Sequence, residues 1–126
     1  MNLSSLGWDD AFQAHFEPYI NSDFQVARVI RAHKHACDVI GAQGSLIATC
    51  TGRLLHETLT HAELPAVGDW VVVRPREGEK NADIHAVLPR RTKFSRRAAG
   101  DRDMEQVVAA NIDTVFLVTS LDENYN

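Results

Sequence analysis

Residues 64–100 read LPAVGDWVVVRPREGEKNADIHAVLPRRTKFSRRAAG, and the fold follows from this stretch. Pro65 and Gly68-Asp69 signal a turn, and Trp70-Val71-Val72-Val73 is dense in strand-forming side chains. A polar turn, Arg76 to Asn81, separates this run from a second strand. There Ile84, Ala86 and Leu88 alternate with Asp83, His85 and Val87 up to Pro89. The spacing predicts a β-hairpin whose chain runs directly into five cations, Arg90, Arg91, Lys93, Arg96 and Arg97.

Upstream, three further strands are predicted. Phe24 to Ala32 carries Val26, Val29 and Ile30 among Arg28 and Arg31, Ala36 to Ile40 follows, and Ser45 to Thr51 comes after a Gly41-Ala42-Gln43-Gly44 turn. Gly52 is read as a bend or bulge, and Leu54 to Thr58 either prolongs the third strand or starts a short helical link. Five short strands with no helices of crossover length between them predict a small closed barrel.

The two ends have a different texture. Trp8, Phe12 and Phe16 recur at every fourth residue, and Asp9-Asp10 favours a helix start, so a helix over Ser5 to Glu17 is predicted. Its aromatic stripe is expected to pack on the barrel rather than to dock a partner. Beyond Gly100, Asp101 to Asp103 reads as a polar joint, and Met104 to Asn111 is compatible with helix or extended chain. Ile112 to Thr119 is a continuous apolar run, the pattern of a strand buried on both faces of an α/β domain. The expected division is therefore 1–22 helical extension, 23–98 barrel, and 99–126 a linker with the first strand of a second domain. That uncovered strand, 112–119, is also a candidate for self-association.

At 126 residues with 44% hydrophobic and 24% charged side chains, the chain has the makings of a packed core and not of a disordered segment. The opening MNLSSLGWDD has neither a basic nor an apolar leader region, and Cys37 and Cys50 lack metal-site spacing. Reduced thiols in a cytoplasmic protein are expected. The net charge of −4 is unevenly spread. Residues 1–73 hold 4 Lys/Arg against 8 Asp/Glu, 74–102 hold 9 against 4, and 103–126 hold 0 against 5. The middle segment can thus attract phosphate although the chain is acidic.

These residues also carry a resemblance. VGDWV, then LPRRTKFSRRAAG, then EQVVAANIDTVFLVTSLDENYN resemble, in order and spacing, the front end of the ribosome small-subunit-dependent GTPase RsgA family, also called YjeQ or EngC. The likeness runs from Phe24 to the last residue, and GWDDAFQAHF suits the family as well. It implies an N-terminal OB barrel that contacts 16S ribosomal RNA on the 30S subunit, followed by a circularly permuted GTPase domain and a zinc domain. GTP, magnesium and zinc would belong to the longer parent, and no cofactor to this stretch. None of the seven glycines, at 7, 41, 44, 52, 68, 78 and 100, leads into a phosphate-binding Gly-Lys, and no guanine-reading Asn-Lys-x-Asp occurs. Taken by itself the chain is expected to hold no catalytic centre.

The candidate RNA contacts are Arg90, Arg91, Lys93, Arg96 and Arg97, with a thinner group at Arg28, Arg31 and Lys34. Phe94, inside the strip, is expected to turn inward as core. His33, His35 and Cys37 alternate as strand neighbours would, but three ligands with no fourth make a weak zinc pattern.

Overall fold

The computed structural model describes residues 2–20, 23–57, 63–97 and 105–113, with the side chain of Arg97 outside that description. Five strands form a closed barrel in the order β1 (Gln25–Ala32), β2 (Cys37–Gly41), β3 (Gly44–Cys50), β5 (Asn81–Val87), β4 (Trp70–Pro75). All neighbours are antiparallel except β3 and β5, which run parallel. A short helix, α2 (Gly52–Glu57), lies between β3 and β4. Strand order, the single parallel pair and that helix together define an OB fold. Gly52 opens α2 instead of bending a strand, and Thr51 accepts the N–H of Leu54 at 3.1 Å on its hydroxyl, so the helical alternative holds for this link.

Period-two alternation fills the barrel. Ala27, Val29, Val39, Ala48, Val71, Val73, Ala82 and Ile84 form its interior, and Leu54 of α2 packs against them. On β4, however, Trp70 and Val72 are as buried as Val71 and Val73. Their faces point away from the barrel into a second core made with Phe12, Val26 and Leu88. The N-terminal segment covers this outer face, which explains why the WVVV run does not alternate with polar residues.

That segment is not one helix. Leu3–Leu6 is a 3₁₀ turn, Gly7 takes φ 100°, and α1 spans Asp10–Phe16 with the Asp9 carboxylate accepting the Phe12 N–H at 3.1 Å. Asp9 wins the cap because its short side chain satisfies an orphan N–H, so Trp8 stands outside the helix. The aromatic stripe still forms. Trp8 stacks on Phe12 at 5.8 Å and meets Trp70 edge-on at 4.8 Å.

After the barrel, β6 (Lys93–Arg97) and β7 (Glu105–Ala110) pair antiparallel as a separate two-stranded sheet. The extended alternative is thus the one adopted before Asn111. Of the expected strand 112–119, all but Ile112 and Asp113 lie outside the described residues, as does any association through it. Phe94 corrects an expectation: on β6 it is 45% exposed, because this sheet stands beside the barrel and offers no second layer there among the described residues.

Candidate nucleic-acid interface

The strip after β5 divides by partner. Arg90 turns back under the barrel, where Nε donates to Asp69 Oδ1 at 2.9 Å and Nη2 to Asp69 Oδ2 at 2.8 Å. Nη2 also donates to the Leu64 carbonyl at 2.9 Å. Asp69 is fully buried and accepts the Ala66 N–H at 2.8 Å, so the VGD turn and Arg90 form one structural unit. Arg91 pairs with Asp9 and lies over the Phe12 ring, 5.1 Å from its centroid. Lys93 pairs with Glu105 at 2.8 Å, and Arg96 donates through Nε to Gln106 at 3.1 Å. Arg97 stands opposite Glu105 in the ladder.

Local charge explains the pairings. Asp9 is the helix cap that Arg91 can reach, and its pKa lies below the ordinary value through the Phe12 N–H first, with the Arg91 contact adding to it. Glu105 is drawn down by its hydrogen bond to Lys93 first and by Ser95 next. Among the described side chains of this row, Arg90, Arg91, Lys93 and Arg96 thus each meet an acidic or amide neighbour from the VGD turn, the cap of α1 or β7.

Arg28 is also turned inward. It donates through Nε to Gly68 O at 3.0 Å, Nη1 to Leu6 O at 2.6 Å and Nη2 to Asn111 O at 2.8 Å. Its carbon Cζ sits 5.8 Å from the Trp70 ring centroid. Burial pushes its pKa below the ordinary arginine value, and Asp113 opposes that most. Sequence reasoning grouped Arg28 with the solvent-facing cations because nothing local tells a side chain at this strand position which carbonyls will converge on it.

Arg31 and Lys34 are exposed, and among the described residues neither forms an ion pair. The structure adds a cation that the sequence reading left out. Lys80 ends the β4–β5 turn, and its carbonyl accepts the Ile47 N–H at 2.9 Å, which brings that turn onto β3. Arg31, Lys80, Ile30, Ile47, Ser45 and Asp38 line one open groove of about 420 Å³ on the outer face of β1, β2 and β3. Alternation from Val29 turns Ile30 outward, and the ladder with β2 shifts register between Val29 and Arg31. Asp38, the cross-strand neighbour of Arg31, bonds His33 Nε2 at 3.2 Å. Lys34 sits at the tip of the β1–β2 turn, closed by the His33 N–H to Ala36 O bond at 2.8 Å. The groove and both turns occupy the surface that OB barrels use for oligonucleotides. The turn register that could have revealed Lys80 is a tertiary contact and leaves no local signature.

His33, His35 and Cys37 line a different cleft of about 200 Å³, together with Cys50 and Leu55. They do not share one strand, since His33 to Ala36 forms the turn before β2. Among the described residues no group of three His, Cys, Asp or Glu side chains is placed to hold a metal. Both cysteines are free, and burial pushes the Cys37 thiol up to about 11. No helix among the described residues is long and apolar enough to cross a membrane.

No family model matches the chain. Individual relatives do. It is 59% identical to the small ribosomal subunit biogenesis GTPase RsgA of Opitutus terrae, over the whole chain and 36% of that protein. Identity to the RsgA of Syntrophotalea carbinolica is 41%, again over the whole chain and 36% of the relative. A solved structure, YjeQ from Thermotoga maritima, superposes with a TM-score of 0.48 at 22% identity, covering 71% of this chain and 28% of that one. The chain spans about a third of the length of the relatives it resembles. Along its whole length it is homologous to the N-terminal part of the RsgA proteins.

Proposed function

We propose that this chain is the ribosomal-RNA-contacting part of a small-subunit biogenesis GTPase that works in the cytoplasm on the 30S particle late in its maturation. In this reading residues 23–98 hold the RNA, 1–22 brace the barrel, and 99–126 lead into the GTPase domain. One observation carries the assignment of the site. Arg31 and Lys80, both exposed and among the described residues without ion pairs, line the OB groove, and Lys34, likewise exposed and without an ion pair among those residues, stands at the tip of the β1–β2 turn, whereas Arg28 and Arg90 serve the interior. Arg91, Lys93 and Arg96 hold acidic or amide partners and act only as an outer fringe, with Arg97 beside them on β6.

Among the described residues the groove contains Ile30 and Ile47 but no aromatic ring, so base stacking contributes little there. Contact is therefore through phosphates and the shape of the RNA, and base selectivity is low. GTP hydrolysis belongs to polypeptide beyond this stretch. The sequence has no Gly-Lys phosphate-binding motif, which supports placing GTP and magnesium on that polypeptide. In the full-length protein, hydrolysis would switch affinity for the subunit.

The test is co-sedimentation of the full-length protein with small subunits across a salt series, comparing wild type with Arg31→Glu/Lys34→Glu/Lys80→Glu. Loss of binding, with a salt slope lower by about 2–3, is the expected result for three phosphate contacts. Equal binding by both proteins removes the site. A complex that forms with a ribosomal protein alone and ignores salt would instead make the barrel a protein-docking module.

A further inference from the structure

The chain leaving the barrel is bonded residue by residue. Ala110 donates its N–H to Val67 O at 2.8 Å, and Asn111 donates its own to Thr92 O at 2.8 Å. Asn111 takes φ 57°, a left-handed conformation that asparagine tolerates better than most residues. That twist aims its remaining groups at three other segments. Its carbonyl accepts Arg28 Nη2 at 2.8 Å, its Oδ1 accepts the Arg91 N–H at 2.8 Å, and its Nδ2 donates to Gly68 O at 3.0 Å. One residue on, the Thr92 hydroxyl donates to Ile112 O and accepts the Ile112 N–H, both at 3.0 Å. Gly68 is required for the approach: at φ 92°, a Cβ there would stand 1.9 Å from Ala110 O.

A passive tether between domains is solvated and makes few fixed bonds. Here β1, the VGD turn and the β5–β6 link all grip residues 110–112. We infer that Asn111 and Thr92, with Arg28 and Gly68, form a rigid joint that couples RNA contact on the barrel to the nucleotide state of the domain that follows. The inference rests on the reading in the preceding section. Asn111 and Thr92 are positioning residues: they touch neither RNA nor nucleotide, and act by holding the exit strand at one angle to the groove. Coupling of two sites then has a physical carrier, an element whose orientation both ligands bias.

The measurement is the small-subunit dissociation constant of the full-length protein, loaded in turn with GDP and with a non-hydrolysable GTP analogue. Asn111→Ala removes the two side-chain bonds of the joint, to the Arg91 N–H and Gly68 O, and Thr92→Val removes the hydroxyl clasp on Ile112 at an exposed position of nearly unchanged shape. Wild type is expected to show a ratio of at least ~5-fold between the two states, within the usual range of allosteric coupling. In each variant the ratio falls toward one, while hydrolysis without subunits is unchanged. A wild-type ratio retained in both variants overturns the joint and leaves the RNA reading standing. An equal loss of affinity in both nucleotide states also overturns it, since that is what a contact or folding defect produces. A wild-type ratio of one overturns the joint together with the nucleotide switch on which it rests.

Discussion

Arg90 and Asp69 meet fork to fork beneath the barrel, two N–H donors on two carboxylate oxygens at 2.9 and 2.8 Å, with Asp69 completely shielded from water and Arg90 nearly so. The pair sits where the β5–β6 link passes the turn that starts β4, 21 residues apart in sequence. Its geometry is bidentate, the arrangement in which arginine and lysine are least interchangeable.

Truncating Arg90 leaves the Asp69 carboxylate buried with the Ala66 N–H as its main remaining donor. Arg90→Ala is therefore expected to cost about 3–5 kcal/mol of folding stability. Arg90→Lys recovers only part of this, because an ammonium cannot make the two parallel bonds. Urea denaturation reads both, and a midpoint unmoved by Arg90→Ala would show that the pair contributes nothing.

The N-terminal segment is predicted to be integral to the domain. Phe12 is buried against Trp70, Val72 and Leu88, and Arg91 caps its outer face. Phe12→Ala should lower stability by about 3–5 kcal/mol. Removal of residues 2–16 should expose the Trp70 indole and shift tryptophan emission to the red. A deletion protein with unchanged melting and emission would make the segment an appendage.

Both thiols should resist modification in the native state. Cys37 is buried with its pKa pushed up to about 11, and Cys50 is also raised by desolvation. At pH 8 little thiolate is present to react. A disulfide-exchange reagent is expected to label neither at appreciable rate until denaturant is added. Rapid stoichiometric labelling of the folded chain would contradict this.

Acid should loosen the β6–β7 sheet and the α1 cap. Glu105 and Asp9 both have folded pKa values below their ordinary ones. Their contribution is complete above the unfolded carboxylate range and is lost as pH falls through the lower folded values. Stability is thus expected to decline on acidification, and Glu105→Gln should flatten part of that decline. Asp9 is exposed and Glu105 about a third exposed, so the effect is small and shrinks in high salt. A pH–stability curve identical to wild type for Glu105→Gln would remove the Lys93–Glu105 pair as a source.

The barrel was legible because its cause is local. Alternation in residues 24–51 and 81–88, and the run of strand formers at 70–73, with turn residues between, specify the strands before any contact forms. The helix over residues 5–17 was legible in type but not in extent, because Gly7 and the Asp9 cap act over two or three residues, below the resolution of a periodic pattern. Phe94 was misjudged because hydrophobicity reports a preference for burial and not the presence of a layer to bury against.

The candidate site was legible only in composition. An excess of cations in residues 74–102 pointed to an anionic partner, yet could not sort the cations that face solvent from those that hold the fold. Arg28 and Arg31 lie three residues apart on β1; one is drawn into the Leu6, Gly68 and Asn111 carbonyls and the other stands at the groove without an ion pair among the described residues.

By itself, then, the order of amino acids determined the five barrel strands, their faces, the homology and the excess of cations in residues 74–102. These depend on neighbours within a few residues or on simple content. Tertiary structure alone decided which guanidinium groups are available, that Lys80 joins the groove, and that the exit at Asn111 is clamped. Each of those turns on atoms brought together from 10 to 83 positions apart, and a hydrogen bond of that span has no trace in the chain until the sheets have formed.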